Sequence, residues 1–303
     1  MSRIRAVAGA PEGGLVVDKP AGPTSHDVVA VARRALGQPR IGHTGTLDPL
    51  ATGVLPLLLG RATRLAQFLA STDKTYFATI QFGQATSSYD AAGEPAGPLR
   101  PVALDPVEVE AALARFRGRQ MQVPPAVSAK KVGGHRAYDL ARRDQPVDLA
   151  AVEVSVTDMT LVSCAQTRAQ VRVTCSAGFY VRSLAHDLGI RLGVGAHLAA
   201  LRRERSGGFT LAESVGLDRL TGAPADVARL VRPMADLLPD WPALALSEDE
   251  AARIGHGQAL AVADRPDGGG HIAGRLRLID QRGHLVALAE ERAGFLHPVL
   301  VLV

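Results

Sequence analysis

The segment GHTGTLDPLATGVLPLLLG at residues 42–60 contains a single carboxylate, Asp48, among glycines, threonines and aliphatic residues. An aspartate before a proline commonly shapes a turn or caps a helix, because its side chain accepts hydrogen bonds from nearby backbone amides. A carboxylate kept in a dry pocket can instead act as a nucleophile or a base. The glycines at 42, 45 and 53 would let the backbone approach a ligand or a second segment closely. The spacing alone leaves both functions of Asp48 open.

The sequence lacks the motifs of the common cofactor-dependent enzymes. It has no GxxxxGK[ST] loop, no GxGxxG after a strand, no HExxH and no GxSxG, which removes support for nucleotide hydrolysis, hydride transfer, zinc proteolysis and α/β-hydrolase chemistry. Cys164 and Cys175 form no CxxC pair, so neither a zinc site nor a disulfide is expected. We therefore expect a reaction that needs no cofactor and no metal.

The chain is basic, with a net charge of +4 and an isoelectric point of about 9.4. Only four of its 34 Lys and Arg residues are lysines, and arginines cluster at 115–119 and 202–205. Arginine suits phosphate because its planar guanidinium donates two parallel hydrogen bonds. GC-rich coding would produce the same composition. The clusters nevertheless make nucleic acid the first partner to consider.

Hydrophobic periodicity predicts helices and strands in an irregular order along the chain. The first helix would have Ser25 as its N-cap. Helices are predicted at 25–37, 61–70, 105–118 and 177–193, and strands at 74–83 and 168–176. Because these elements do not follow a βαβ rhythm, the expected fold class is α+β.

A domain boundary is predicted near residue 240, where three prolines make a stiff connector. After it, Ser247 and Glu250 form a capping box that begins a helix. The segment GRLRLIDQRGHLVALAE then indicates a β-hairpin that turns at Asp280. We expect a large domain at 1–240 and a small β-rich domain at 245–303.

Residues 122–150 are rich in proline, glycine and charge, and they are too long for a simple connector. We expect them to form a mobile, functional insertion. No stretch approaches the roughly 18 apolar residues of a membrane helix, and residues 1–14 lack the apolar centre of a signal peptide. The expected location is the cytoplasm, without membrane contact.

Five segments resemble, in chain order, the TruB family of tRNA pseudouridine synthases. They are LVVDKPAGPTSHDVV, GHTGTLDPLATGVLPLLLGRATR, KTYFATIQFG, CSAGFYVRSLAHDLG and GAHLAALRR, between residue 15 and about residue 209. The second segment is specific to this family and its archaeal and eukaryotic relatives. LSEDEAARIGHGQAL and the following hairpin resemble a PUA domain, although a generic small β-barrel has the same pattern. The resemblance implies a catalytic domain with a mixed sheet and flanking helices, followed by a PUA-like RNA-binding domain.

The resemblance also implies a reaction. Uracil is detached from C1′ of its ribose, turned, and rejoined through C5, after the base has been flipped out of the RNA. Asp48 matches the family's nucleophile, Arg182 the cation that keeps this carboxylate ionised in a dry pocket, and Tyr76 the aromatic residue under the flipped base. Without the family, a turn-forming Asp48, a core Tyr76 and a surface Arg182 remain the alternatives.

Further positions match substrate-binding residues of the family. Tyr180 and Leu201 match positions that line the uracil pocket, and His43 matches the residue that fills the gap left in the RNA loop. Lys19, in the DKP motif, is expected to support the wall of the active site, with a surface salt bridge as the alternative.

Two segments depart from the family pattern. GQATSSYDAAG has Ser87 and Ser88 where aspartate and threonine are common, although Asp90 is retained, which leaves the hydrogen bonding of this loop open. Some members carry aromatic residues in the insertion where this chain has valines. We therefore expect Lys130, Lys131 and Arg136 to grip the RNA.

Taken together, the resemblance implies isomerisation of uridine at position 55, in the T-arm loop of tRNA, by an enzyme that needs no protein partner. The alternatives are a guide-dependent rRNA pseudouridine synthase with protein partners and a non-catalytic RNA-binding or RNA-folding module. The presence of Asp48, Tyr76 and Arg182 favours the enzyme. The short leader before residue 15 favours the stand-alone form.

Overall fold

The computed structural model describes residues 9–127, 149–262 and 274–303, together with the backbone of residues 131–132 and 135–136. The strands of these residues are β1 (Gly13–Lys19), β2 (Ile41–His43), β3 (Thr52–Leu59), β4 (Lys74–Phe82), β5 (Ala85–Thr86), β6 (Pro95–Ala96), β7 (Gly118–Gln122), β8 (Lys131–Val132), β9 (His135–Arg136), β10 (Val152–Ala165), β11 (Arg168–Cys175), β12 (Ala196–Ser206), β13 (Phe209–Thr210), β14 (Val215–Gly216), β15 (Ala243–Ala245), β16 (Leu260–Ala261), β17 (Arg275–Ile279), β18 (Leu285–Arg292) and β19 (Phe295–Val301). The helices are α1 (Ser25–Ala35), α2 (Ala66–Leu69), α3 (Pro106–Ala114), α4 (Val181–Arg191), α5 (Leu217–Gly222), α6 (Pro224–Ala228) and α7 (Glu248–Gly255).

The larger sheet is mixed and runs in the order β14-β1-β3-β12-β4-β11-β10-β7, with β2 paired to β3 and β13 to β12. The pairs β1/β14 and β3/β12 are parallel, and the other neighbours on this path are antiparallel. Helix α4 packs on β12, and α3 packs on β10. The mixed sheet with flanking helices confirms the predicted α+β class.

Strands β3 and β4 anchor the middle of this sheet. Tyr76, Ala78, Ile80 and Phe82 of β4 are buried, as the alternation predicts. In β3 every residue after Thr52 is buried, because Leu55, Leu57 and Leu59 face one apolar cluster whereas Val54 and Leu58 face another. Coverage of both faces fixes β3 tightly, whereas β4 is fully buried on one face only.

Helix α1 begins one residue earlier than the Ser25 cap predicts. Thr24 is the N-cap, and it exchanges hydrogen bonds with Asp27 in a capping box. Ser25 is buried, and its hydroxyl instead accepts from the amide of Leu47 at 2.8 Å and donates to the carbonyl of Leu47 at 3.1 Å. The predicted cap is therefore wrong, because Ser25 ties the helix to the residue before Asp48.

The other predicted elements agree with the structure in type and differ in length. The segment 61–70 forms a 3₁₀ turn (Gly60–Leu65) before the short α2, whereas α3 begins at Pro106 with Asp105, the first residue of the predicted helix, as its N-cap. Helix α4 starts four residues after position 177. Gln122, the predicted first residue of the insertion, belongs to the end of β7 and is buried. The mobility of the insertion stays a prediction.

A second sheet of order β15-β17-β18-β19-β16 forms the C-terminal part of the chain. The predicted capping box at Ser247 and the hairpin turn after β17 are confirmed. Leu285, Leu300 and Leu302 share one apolar cluster with Val16 and Leu58 of the larger sheet. The boundary between residues 240 and 245 stays a prediction. Within the described residues, no helix is long and apolar enough to span a membrane.

Candidate active site

Asp48 both shapes a turn and points its carboxylate at a cation. Its backbone carbonyl accepts a hydrogen bond from the amide of Ala51 at 3.0 Å, which closes a turn around Pro49. Its side chain pairs with Arg182, with Nε 3.0 Å from Oδ2 and Nη2 3.2 Å from Oδ1. The two alternatives for Asp48 are therefore compatible, since the backbone makes the turn and the side chain remains available for chemistry.

Arg182 lies in the first turn of α4, and only 5% of the residue is exposed. Besides Asp48, its Nη1 donates to the carbonyl of Ser88 at 3.2 Å and lies 3.6 Å from Oδ2 of Asp90. Two carboxylates and a carbonyl thus fix the guanidinium, which excludes the alternative of a surface arginine.

Asp90 is itself held by its own loop. The hydroxyl of Ser88 donates to Oδ1 of Asp90 at 2.6 Å, and the amide of Ala92 donates to the same oxygen at 3.0 Å. Ser87 accepts from the amide of Glu94 at 3.1 Å. The two serines that depart from the family pattern therefore satisfy the hydrogen bonding of this loop.

The electrostatic environment of Asp48 combines opposing influences. Burial raises the pKa of the Asp48 carboxyl, the nearby Asp90 raises it further, and Arg182 and Lys19 oppose both effects. The side chain still keeps 33% of its surface exposed, on the side that opens into a cavity. The carboxylate is accordingly more basic than an ordinary aspartate, and it lines the cavity.

The cavity has a volume of about 330 Å³. It brings together Asp48, Tyr76, Arg182, Tyr180 and Leu201, the predicted residues most closely tied to chemistry and to the base. A cavity of this size, mostly apolar with a few convergent polar groups, is typical of a small-molecule or base-binding pocket.

Tyr76 forms part of the cavity wall from β4. Burial raises the pKa of its phenol, and a hydrogen bond from Arg203 opposes the shift, so the hydroxyl stays protonated near neutral pH. Tyr180 immediately precedes α4 and is fixed by Gln122, whose Oε1 accepts from the Tyr180 amide at 2.8 Å and whose Nε2 donates to the Tyr180 carbonyl at 3.1 Å. The end of β7 therefore positions one aromatic side of the pocket.

Lys19 lies beneath the cavity and does not line it. It is fully buried, and its ammonium group donates to the carbonyls of Ala51 at 2.7 Å, Pro20 at 2.9 Å and Pro49 at 3.3 Å. Burial lowers its pKa to about 8. The surface salt bridge is thus wrong, and a direct substrate contact is not open to Lys19. The lysine fixes the turn that carries Asp48.

His43 also lies outside the cavity lining, at the end of β2. Its ring meets that of His26 edge to face, with centroids 5.5 Å apart. Burial and the neighbouring His26 lower the pKa of His43 to about 4, so the imidazole is neutral near pH 7. Lys130 lies outside the described residues, and only the backbone of Lys131 and Arg136 is described, so their grip on RNA stays a prediction.

Sequence reasoning missed two buried cations of the cavity wall. Arg203 is 1% exposed, and it donates to the carbonyls of Val54 at 2.7 Å and Gly45 at 3.0 Å. Lys74 donates to two backbone carbonyls at the end of α2. Arg203 follows Leu201 by two residues on β12, so a strand period applied to LRRERS would have placed both on one face.

Within the described ranges, no group of three or more His, Cys, Asp and Glu side chains is arranged to hold a metal ion. The site instead offers a carboxylate, a guanidinium and a protonated phenol. These groups are suited to nucleophilic attack and proton transfer on a bound base. That the reaction needs no cofactor stays a prediction.

Three sequence profiles match almost the whole chain. "TruB family pseudouridylate synthase (N terminal domain)" matches residues 33–181, "tRNA pseudouridylate synthase B C-terminal domain" matches residues 182–238, and "Pseudouridine synthase II TruB, C-terminal" matches residues 242–302.

Curated relatives are similar over their full lengths. The chain is 44% identical over 294 residues to a tRNA pseudouridine synthase B of Solibacter usitatus, covering 96% of this chain and 100% of that protein. It is 44% identical over 299 residues to the protein of the same name from Thermobifida fusca, covering 96% and 98% respectively.

Solved structures share the fold. A chain in the crystal structure of a Cbf5-Nop10-Gar1 complex has a TM-score of 0.73 and 26% identity, covering 97% of this chain and 86% of that one. A chain in a structure of an H/ACA RNP bound to a substrate RNA containing 2'-deoxyuridine has a TM-score of 0.73 and 24% identity, covering 98% and 86%. With relatives 44% identical across nearly its whole length, the chain belongs to the TruB family of pseudouridylate synthases.

Proposed function

We propose that this pseudouridine synthase converts uridine to pseudouridine in the T-arm loop of tRNA, at position 55, with Asp48 as its nucleophile. The observation that carries the proposal is the Asp48–Arg182 ion pair, which opens on one side into a cavity lined by Tyr76 and Leu201. The substrate class follows the relatives, which are named tRNA pseudouridine synthase B.

The chemistry is an internal transfer. The bond between C1′ and N1 of the nucleotide breaks, the uracil turns, and a bond forms between C1′ and C5, whose proton moves to N1. Nothing is oxidised and no group is donated, so the reaction requires no redox cofactor. The Asp48 carboxylate attacks the nucleotide covalently so that uracil can separate from C1′, and the bond to Asp48 breaks again as the C1′–C5 product forms, which regenerates the carboxylate. Attack on C1′ of the ribose or on C6 of the base would use the same carboxylate in the same cavity.

The neighbouring groups divide the remaining tasks. Arg182 keeps the Asp48 carboxylate ionised and oriented, because two of its nitrogens lie within 3.2 Å of the two carboxylate oxygens. Tyr76 stacks against the uracil, and its protonated hydroxyl moves a proton during rejoining. Leu201 and Tyr180 enclose the base, so that it can turn without leaving the pocket.

A uridine in a folded RNA loop must leave its stack before Asp48 can reach it. The cavity has room for the flipped base, and we assign the neutral His43 ring to the gap left in the loop. We propose that the C-terminal sheet contacts phosphates on the acceptor side of the tRNA, and that catalysis needs no protein partner.

The test is to incubate the purified protein with a tRNA transcript and to map pseudouridine along the whole RNA. We expect one modified position, in the T-arm loop, and no product when that uridine is replaced by cytidine. A T-arm stem-loop treated with a chelator should react equally well, because its folding does not depend on a bound metal. Pseudouridine only at other positions, or product formation that requires an added protein, would overturn the proposal.

A further inference from the structure

Tyr89 adopts a backbone conformation that a bulky residue rarely takes. Its φ angle is +64°, in the left-handed region, which costs free energy because Cβ approaches the carbonyl oxygen. Its ring stacks face to face on His186, with centroids 3.7 Å apart and planes inclined by 11°. The stack contributes to holding this conformation, together with the hydrogen bond that the Leu198 amide donates to the Tyr89 carbonyl at 2.9 Å.

The ring of His186 is held by this contact and not by a hydrogen bond from Nδ1. Among the described residues, Nδ1 of His186 is buried and has no hydrogen-bond partner. Burial lowers the pKa of His186, with the adjacent Asp187 opposing the shift, so the ring is neutral near pH 7. A neutral imidazole stacks flat on a phenol without the cost of desolvating a charge.

The stack joins the two elements that hold the catalytic cation. His186 follows Arg182 by one helical turn on α4, so both side chains project from the same face of the helix. Tyr89 lies between Ser88 and Asp90, whose carbonyl and carboxylate contact Arg182. The loop therefore contacts α4 at two successive turns. At the first turn Ser88 and Asp90 contact Arg182, and at the second the Tyr89 ring stacks on His186.

We propose that Tyr89 and His186 are positioning residues whose ring stack sets the loop of Ser88 and Asp90 against Arg182, and through Arg182 aims the Asp48 carboxylate. This inference rests on the proposed function of Asp48. The stack touches neither the cavity nor the reacting atoms. Its loss would leave RNA binding intact and would misplace the ion pair by a fraction of an ångström.

The experiment compares Tyr89→Asn with Tyr89→Phe. Asparagine tolerates the left-handed conformation but has no ring, whereas phenylalanine keeps the ring and lacks only the hydroxyl. We expect Tyr89→Asn to lower the single-turnover rate by about 10- to 100-fold, with the dissociation constant for tRNA within about twofold of the parent. Tyr89→Phe should retain the parental rate within about twofold, since the ring remains.

A double-mutant cycle separates the stack from general stability. His186→Ala should lower the rate as Tyr89→Asn does, and the double variant should be no slower than either single variant, because one contact is lost in each case. Parental activity in Tyr89→Asn, equal losses in Tyr89→Asn and Tyr89→Phe, or additive losses in the double variant would each overturn the inference. Asp48→Asn is assayed in parallel, since an active Asp48→Asn protein would instead refute the proposed nucleophile.

Discussion

Two arginine–carboxylate pairs lie on opposite faces of the strand that carries Tyr76. On the inner face, Arg182 pairs with Asp48, and their side chains are 6% and 33% exposed. On the outer face, Arg172 pairs with Glu204 at 2.9 and 3.3 Å, and its guanidinium lies 5.6 Å from the centre of the Phe77 ring. The exposed fractions there are 47% and 30%.

The two carboxylates are about equally exposed, so the difference lies in the cations. Arg172 is about half exposed, so solvent screens its charge and the surface pair has little influence on its surroundings. Arg182 is enclosed and faces a second carboxylate, Asp90, so its electrostatic interactions are much less screened. Both pairs consist of a guanidinium and a carboxylate. Only the inner pair is a candidate for catalysis, because its arginine is buried and its carboxylate lines a cavity.

The largest expected effect comes from removing the inner carboxylate. In Asp48→Asn the side chain keeps its size and its capacity to shape the turn, but it loses the charge and the nucleophilic oxygen. We expect pseudouridine formation to fall below detection in single-turnover assays. Affinity for tRNA should persist, because phosphate contacts dominate binding.

The same variant should fold normally. Because burial raises the pKa of Asp48, its charge is unfavourable in the folded state, so removing the charge should not lower the thermal unfolding midpoint. A stable Asp48→Asn protein that modified tRNA at the parental rate would show that Asp48 serves only the turn.

A smaller loss is expected when the inner cation is replaced by lysine. Lysine keeps the positive charge, but its single ammonium cannot contact Asp48, Asp90 and the Ser88 carbonyl together. We expect Arg182→Lys to lower the single-turnover rate by about 100-fold, with tRNA affinity retained in a filter-binding assay. A matched Arg172→Lys variant should keep the parental rate. Equal losses in the two variants would refute the distinction between the inner and outer pairs.

How much of this site the sequence predicts depends on how far apart its residues lie along the chain. Asp48 and Arg182 are 134 residues apart, and no pattern of spacing brings them together, so their pairing depended on the family resemblance. The sequence predicts that a second segment approaches the backbone closely at Gly53, and the structure confirms this. Its φ angle is +101°, and a Cβ there would lie 2.2 Å from the carbonyl oxygen of Arg203.

The missed strand β3 and the misplaced cap of α1 share a physical cause. Strand β3 has no alternation because both of its faces are buried, so its apolar run carries no strand period. Thr24 and Ser25 are both good N-caps, and the choice between them is made by the contact of Ser25 with Leu47, which is distant in sequence. Where the local sequence favours two alternatives equally, tertiary contacts therefore determine which one forms.

Asp90 offers a sharper test, because its removal should lower the rate near pH 7 and at the same time extend activity to lower pH. Asp90→Asn removes one partner of Arg182, and we expect the rate near pH 7 to fall roughly tenfold, or about 1.4 kcal/mol. The negative charge of Asp90 also raises the pKa of Asp48. Without that charge the Asp48 carboxylate ionises at lower pH.

The acid limb of the rate profile should therefore move to lower pH in Asp90→Asn, toward the ordinary aspartate value of 3.8. Single-turnover rates measured across the acidic range on a stable stem-loop substrate give this limb directly. An acid limb that moved to higher pH would contradict the assignment of Asp48 as the group that must be ionised.

The smallest effect is expected on the outer face, with Glu204→Gln. The amide keeps the size of the side chain and can still accept a hydrogen bond from Arg172, which also retains its contact with Phe77. Because water already screens this pair, losing the charge should change the single-turnover rate and tRNA affinity by less than about twofold. A substantial loss of rate with unchanged affinity would mean that the outer face communicates with the cavity through β12, where Glu204 adjoins the buried Arg203. The two faces would then not be independent, and burial of the arginine alone would not distinguish the catalytic pair from the surface pair.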